Sequence, residues 1–555
     1  MRSTSARSSV ALLAVVLAAV LVTGGVAGPV VATTPTADSS SAIDASPATE
    51  SIAASSAVTE PQADRPADPS TEDTVGYVEG YWYDDELPVD DRSDAVVDES
   101  ELDAVVYRSM ARVERIRNLT FEDGVDVDVV TRSEYQETND DRFTNVTDAD
   151  RLEGNVGYEA LFMVDRDTDA MNSTKSVYGG SVAGYYDPET DEIVIVSNNP
   201  ETPELDELTL GHELVHALQD QRFDLESLEG TTQDSDTGIS GLVEGDASHV
   251  ENEYERRCRT DWDCLTPNGS GGQGGVGDVN WGIYFSIYQP YSDGPNYVDH
   301  LREQGPGWSA VNAAYDDPPT TTSAVIHPGS DREPATVSVP DRSSEDWRQL
   351  RIDGEVANDT VGEAGMVAMF AADTVDRNRE SVISADDFFR GGTGEYDYDQ
   401  PATDGWAGDE LVVYTNDDAD AASGPGAAGD AGYVWRTQWD TVDDTEQFVD
   451  AYSQLLATHG AESVEDRQDT AVIEDGGYAG AYYLERDGRT VTIVRAPSVA
   501  ELPNVEAGAA PAGENELLAL EEGAETVPGF GVGVAAIALA LAAVVARVAG
   551  GHGRN

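Results

Sequence analysis

The chain of 555 residues predicts an α+β protein, two folded domains in series between an apolar segment at each end. Three observations predict this class. Apolar residues recur at helical spacing through the first half, as in Leu102, Val105, Val106, Met110, Val113 and Ile116. After Trp406 strand signals dominate, among them a tight-turn dipeptide, Asp487-Gly488. Trp and Tyr are spread between residues 74 and 500, which argues for a packed core and against a disordered acidic chain.

The N-terminus carries Arg2 and Arg7, an apolar run from Val10 to Val22, then small residues to Ala32. This is the pattern of a secretory signal peptide over residues 1–32, with a short membrane anchor as the competing reading. Residues 33–73 are rich in Ser, Thr, Ala, Asp and Pro without periodicity, a disordered spacer. A first domain is expected over 74–335. Its helix near residue 101 has Ser100 as the expected N-cap. Val125, Val127 and Val129 alternate with acids as a strand does, and Tyr185 to Val196 is a hairpin turning at 188–191. A helix follows from Thr202-Pro203 to about Gln221, a second helix surrounds Glu244, and 281–314 is mainly helical. The second, smaller α+β domain is expected over 336–500, with strands at Leu411–Tyr414, Tyr433–Trp439 and Ala481–Val494 and one helix carrying Phe448, Tyr452, Leu455 and Leu456. An acidic stalk over 501–527 leads to an apolar run, Pro528 to Ala546, long enough to form a transmembrane helix.

Lys plus Arg number 32 against 107 Asp plus Glu, a net charge of −75, and Lys175 is the sole lysine. Nucleic-acid binding is excluded, since phosphate recognition needs a basic footprint. Such self-repulsion is screened in molar salt, where the Debye length falls to roughly 3 Å. Acid spread along the whole chain with Arg in place of Lys resembles proteins of extremely halophilic archaea.

The C-terminal run opens on Pro528-Gly529-Phe530 and ends in Arg547 and Arg554. Triplet, apolar helix and basic tail over 528–555 resemble the PGF-CTERM sorting signal of archaeal surface proteins. The resemblance implies an archaeosortase as processing enzyme and a lipid anchor; a plain transmembrane anchor gives the same cell-surface location at the membrane. Sequons at Asn118, Asn145, Asn172, Asn268 and Asn358 suit a glycoprotein outside the cell. Cys258 and Cys264 form a local disulfide in an oxidising exterior, or bind metal as thiolates.

One motif carries chemistry: His212-Glu213-Leu214-Val215-His216, an HExxH. Residues four apart on a helix lie one turn above each other, so both imidazoles can hold one Zn²⁺. Glu213 stands beside the metal as general base and then acid. Leu210, Leu214 and Leu218 lie on one face, so the helix is buried on one side and faces a cleft on the other. Gly211 is expected where a neighbouring strand passes close. A catalytic zinc needs a third protein ligand and leaves one position to water. Glu244, in Leu242-Val243-Glu244-Gly245-Asp246-Ala247, is the best candidate, with His249 as rival.

His-His-Glu with the Glu downstream on another helix resembles the gluzincins, the thermolysin-like branch of zincin metallopeptidases. His216-Ala-Leu-Gln-Asp-Gln221 with Val243-Glu-Gly-Asp-Ala247 is similar to a widespread set of secreted prokaryotic HExxH proteins. So are Gly307-Trp308-Ser309-Ala310-Val311, Pro318-Pro319 and Val325-Ile326-His327-Pro328; the likeness covers about 75–330 and, more diffusely, Trp406 to Leu456. It implies a zincin-like domain with Glu244 as third ligand and Zn²⁺ as cofactor. Asp246, Ser248 and Asp220 are candidates to orient the imidazoles, although the family has an acid where Ser248 stands. Zincins lay an extended substrate along a strand, and Ile193–Val196 fits that place, with Gly184–Asp187 lining the same cleft. Thermolysin-like sites also need an oxyanion donor across the cleft. His249 is too near Glu244 along the chain and His300 sits in a helix, which leaves His327, extended by Pro328.

The function expected is zinc-dependent hydrolysis of a peptide or protein substrate at the cell surface of a halophile. The alternative is a non-catalytic envelope or adhesion protein that keeps a structural zinc site.

Overall fold

The computed structural model describes residues 65–142, 146–267, 279–332, 334–375, 379–390, 396–419, 422, 424–518 and 520. The signal peptide, almost all of the spacer, the C-terminal apolar run, Asn145 and Asn268 lie outside these residues. Among the described residues no helix is long and apolar enough to cross a membrane.

Helix α1, Glu99–Arg117, starts one residue before the expected cap. Asp98 is the cap residue, and its N–H donates to the Glu101 carboxylate at 3.2 Å. The buried face of α1 carries Val105, Val106, Met110 and Val113. Strand β1, Asp126–Val130, is followed by a helix over Arg132–Arg142 and then by α2 (Asp148–Ala160) and α3 (Ala170–Ser181). The hairpin forms as expected from β2 (Gly184–Asp187) and β3 (Glu192–Val196). Its strands belong to a three-stranded sheet in the order β1-β3-β2, β1 parallel and β2 antiparallel to β3. Ile193–Val196 is therefore the central strand, and Gly184–Asp187 is at the edge.

Helix α4, Glu207–Phe223, carries the HExxH and begins four residues later than Pro203. The Asp206 carboxylate accepts the Leu208 N–H at 3.0 Å and caps it. The preceding residues cannot coil, because their backbone is tied to the 95–97 segment: Val97 N–H to Pro203 O at 3.0 Å and Leu205 N–H to Ala95 O at 2.9 Å. Helix α5, Gln233–Cys258, is 26 residues long, and α6, Trp281–Gln304, contains Pro290 and Pro295. Leu210, Leu214 and Leu218 of α4 pack with Leu242 of α5 and the apolar face of α1. Cys258 and Cys264 are disulfide-bonded, with Cα atoms 5.5 Å apart, and pin the chain leaving α5.

Helix α7, Gly362–Ala371, is buried along its whole length. It leads to a large antiparallel sheet built from β4 (Trp406–Thr415), β5 (Gly432–Trp439), β6 (Thr470–Ile473), β7 (Gly480–Asp487) and β8 (Thr490–Ala496). The order is β6-β7-β8-β5-β4, extended by short strands at 462–463 beyond β6 and at 348–349 and 358–359 on β4. The expected Asp487-Gly488 hairpin joins β7 to β8, with Gly488 at φ 60°. Helix α8, Val442–Thr458, covers one face, Phe448 meeting Trp439 at 4.8 Å between ring centres.

The other face is covered by Trp347 and by Leu502, Val505, Ala509 and Ala510. That corrects the stalk: its start, 501–518, is folded onto the sheet, and Leu518 is buried too. One apolar core crosses the boundary expected at 335/336, while others lie wholly before it or wholly after it. Leu152, Val156 and Phe285 share one apolar cluster with Met366, Trp435 and Phe448.

Candidate metal centre

The i, i+4 spacing places the rings of His212 and His216 on one face of α4, centroids 4.9 Å apart. Both Nε2 atoms face Glu244 of α5, at 3.3 and 3.4 Å from its Oε2. The three residues are buried, and each offers a ligand atom within 4.8 Å of the others, a group that can hold a metal ion. Close approach of α5 and α6 seats Glu244. A Cβ on the next residue, Gly245, would lie 2.4 Å from the backbone of Gly294 in α6.

The Nδ1 atoms are oriented from behind. Gln219 donates its amide to Val243 O at 2.9 Å, so its Oε1, 2.8 Å from His216 Nδ1, accepts from that ring. Glu251 Oε2 lies 2.9 Å from His212 Nδ1 and can only accept. Burial lowers the His212 pKa, but the carboxylates of Glu244 and Glu251 outweigh it and raise it well above the ordinary imidazole range; a bound cation would displace the extra proton and take an Nε2 lone pair from each ring. Neither partner was among the residues expected to orient the imidazoles. Gln219 lies three residues after His216, and Glu251 seven after Glu244, on the same face of its helix.

Glu213 is fully buried, and neither carboxylate oxygen has a partner at hydrogen-bond geometry, although the Tyr186 N–H lies near enough to favour its charge; His216 Nε2 also lacks a partner. Buried polar atoms without protein partners fit a cation and the water it carries. Burial pushes the Glu213 carboxyl well above the usual range, with His212 opposing and Glu244 adding to the shift. For Glu244 burial pushes upward, but the imidazoles of His216 and His212 outweigh it and hold the carboxyl down at about 2.

Tyr291 of α6 hydrogen-bonds Glu244, and burial, then Glu244 itself, keeps its hydroxyl protonated far above the ordinary tyrosine range. His327 is not brought to this centre. It ends a short helix, Thr322–Ile326, and its Nε2 lies 2.9 Å from Oε1 of the buried Glu363. Its ligand atoms group instead with Asp399 and Asp404. His249 faces Asp299 at 3.2 Å and the edge of Trp308, away from the ligands.

The other residues expected to orient the ligands tie helices together. Asp246 accepts from Arg117 Nε at 2.9 and 3.1 Å and from the Tyr315 hydroxyl at 2.9 Å, binding α5 to α1. Asp220 accepts from the Tyr186 hydroxyl at 2.8 Å and so fixes β2 to α4. Ser248 is half-buried, and neither imidazole has it as a hydrogen-bond partner. The neighbour of Gly211 is the Tyr254 ring of α5, 3.2 Å from a Cβ placed there, and not a strand. Asn118, Asn172 and Asn358 are exposed, and the Asn358 amide donates to Glu410 at 2.7 Å.

A cavity of about 290 Å³ opens on Glu244 and Tyr291. Its far side comes from the large-sheet region, including Asp359, Val361 and Leu411. Residues 348–506, which supply that side, match a family described as a domain of unknown function (DUF8575). The chain matches no curated protein and no solved structure.

Proposed function

We propose that the chain is a zinc-dependent peptidase of the gluzincin type, with His212, His216 and Glu244 as metal ligands. One observation carries this reading. A buried Glu213 with two partnerless oxygens adjoins a group of only three ligands, the number that catalytic zinc sites use, whereas structural sites close with four. When bound, Zn²⁺ supplies Lewis acidity and brings the pKa of its water toward about 7. Glu213 Oε1 or Oε2 takes the proton of the attacking water and returns it to the leaving amine. Tyr291, neutral and donating to Glu244, can turn its one hydroxyl proton from that carboxylate toward the developing oxyanion. The edge strand β2, fixed to α4 through Tyr186 and Asp220, suits an extended peptide laid along the helix.

Metal analysis and a casein assay in molar salt test the reading. The wild-type ectodomain is expected to hold one Zn²⁺ per chain. Glu213→Gln should keep the metal and lose hydrolysis by about 10²–10⁴-fold, the range of a lost general base. Equal activity in Glu213→Gln refutes it, and zinc without activity in the wild type makes the site structural.

The proposed place of action is the outer face of the membrane of a halophile. The N-terminal signal pattern, the PGF triplet with its apolar run and basic tail, and the Cys258–Cys264 disulfide support it. Mature protein extracted from membranes should lack residues beyond about Thr526 and carry a lipid. Recovery of the peptide containing Arg547 would establish a transmembrane anchor instead.

A further inference from the structure

The cavity that opens on Glu244 has walls that the peptidase reading leaves unexplained. They carry Asp150, Glu153, Asp236 and Asp359, and among the described residues no lysine, arginine or histidine lines it. Asp150 is 3% exposed. Its Oδ2 accepts the Thr147 N–H and hydroxyl, both at 2.7 Å, while its Oδ1 is buried without a hydrogen-bond partner. Asp236 repeats the arrangement: Oδ1 accepts the Gly230 N–H at 2.7 Å, and Oδ2 is buried with no partner. Glu153 is surrounded by charge of its own sign, from Asp359 and Asp150.

Exposed carboxylates are ordinary in a chain this acidic. Carboxylate oxygens orphaned inside a cavity are not, because burial of an unsatisfied acceptor is costly. Burial first, then Asp359 and Asp150, pushes the Glu153 carboxyl up to about 8, and burial pushes Asp359 up to about 7. A cation in the cavity reverses both effects. A bare metal ion suits the site poorly, since these acids are not in the groups whose ligand atoms converge within 4.8 Å. A guanidinium or ammonium on a flexible stem suits it better. It spreads several donors over separated acceptors, and its methylenes lie against apolar wall such as Ile287 and Leu411.

We propose that this cavity receives a positively charged side chain of the peptide substrate, an arginine or lysine, recognised by Glu153 and Asp359; the proposal rests on the peptidase reading. It gives residues 348–506 a task, since Asp359 and Leu411 come from that region. The part of the molecule with no metal ligand thereby selects what the metal site cleaves.

The test uses the zinc-loaded protein in molar potassium chloride. Matched peptides that differ only in arginine or its neutral isostere citrulline are compared by kcat/KM. Binding of argininamide and citrulline amide is measured by calorimetry on Glu213→Gln, where no turnover occurs. The arginine peptide should be preferred at least tenfold, mostly through KM, and argininamide should bind while citrulline amide does not. Glu153→Gln should remove most of that preference. Asp359→Asn is the second variant, because its Oδ1 can still accept the Gln233 and Thr360 N–H groups that Asp359 holds at 2.8 Å. Equal cleavage of both peptides by active wild type, or potassium alone protecting the protein with no discrimination between the amides, overturns the proposal. An inactive protein that binds argininamide through Glu153 overturns the peptidase reading and leaves the cation pocket standing.

Discussion

Glu251 orients the ring of His212, one of three residues that can hold a metal ion. Its side chain is 30% exposed, yet it is the acceptor that fixes the ring. Glu251→Ala should weaken zinc binding by about 10–100-fold, the cost of losing such an outer partner, measured against a competing chelator. Unchanged affinity would show that α4 alone orients the ring. His327 is predicted to act on stability and not on turnover, because its partner is the buried Glu363. His327→Ala leaves that carboxylate with the Ser323 hydroxyl and with Arg332, 3.7 Å away. It should cost about 1–3 kcal/mol in denaturant unfolding, with kcat and zinc content near wild type. A hundredfold fall in kcat without destabilisation would restore the oxyanion role expected from sequence. The group that can hold a metal was legible because HExxH places two of its three members four residues apart on one helix. Glu251 was not, since α5 also carries Glu253 and Glu255 and nothing in their spacing says which acid turns toward His212.

The crossing of α5 and α6 holds Glu244 in place, and it depends on the absence of side chains. A methyl on Gly245 would overlap the Gly294 backbone, and one on Gly294 would come within 2.5 Å of Gly241 O. Backbone cannot swing aside as a side chain can, so Gly245→Ala should part the helices, costing 1–3 kcal/mol or more at about the scale of overpacked cores, and weaken zinc binding with it. Gly154→Ala in α2 is the control: its Cβ meets nothing within 4 Å, and the helix should gain up to about 0.5–1 kcal/mol. Matching melting curves for the two variants would sink the argument. At this scale the sequence showed whatever has a period: α8, the β7–β8 hairpin and the 184–196 hairpin lie where alternation and turn chemistry place them. Ends set by distant partners were hidden. Nothing local announces that Pro203 O accepts from Val97, or that Leu502 and Val505 close the back of a sheet formed earlier in the chain.

Over the whole molecule, two domains were expected because helical spacing gives way to strand signals after Trp406, yet one core joins α2 and α6 to β5 and α8. Composition shows a boundary in local structure, not where buried surfaces meet. That shared core must hold against a net charge of −75. The Debye length grows from roughly 3 Å at 1 M salt to about 10 Å at 0.1 M, so repulsion between neighbouring surface acids returns on dilution. Circular dichroism should therefore show reversible loss of the fold below about 1 M salt, and a flat response to 0.1 M would contradict this. Acid should oppose that loss. Burial raises the carboxyls of Asp234 to about 8 and of Asp293 and Asp359 to about 7. In the unfolded chain these groups titrate near 4. Between those limits the fold binds more protons than the unfolded chain, so their contribution is complete below about 4 and is lost as pH rises through 7–8. Carboxyls held low by cations, such as Glu253 at about 2, act the other way but only at pH below about 4.5. In the window from pH 5.5 to 8.5, zinc-saturated protein at one fixed molar salt concentration should melt at progressively lower temperature as pH rises. Asp293→Asn should flatten part of that slope, because an amide there has no proton to lose. A melting temperature that climbs with pH across this window would show that these acids are ionised in the fold.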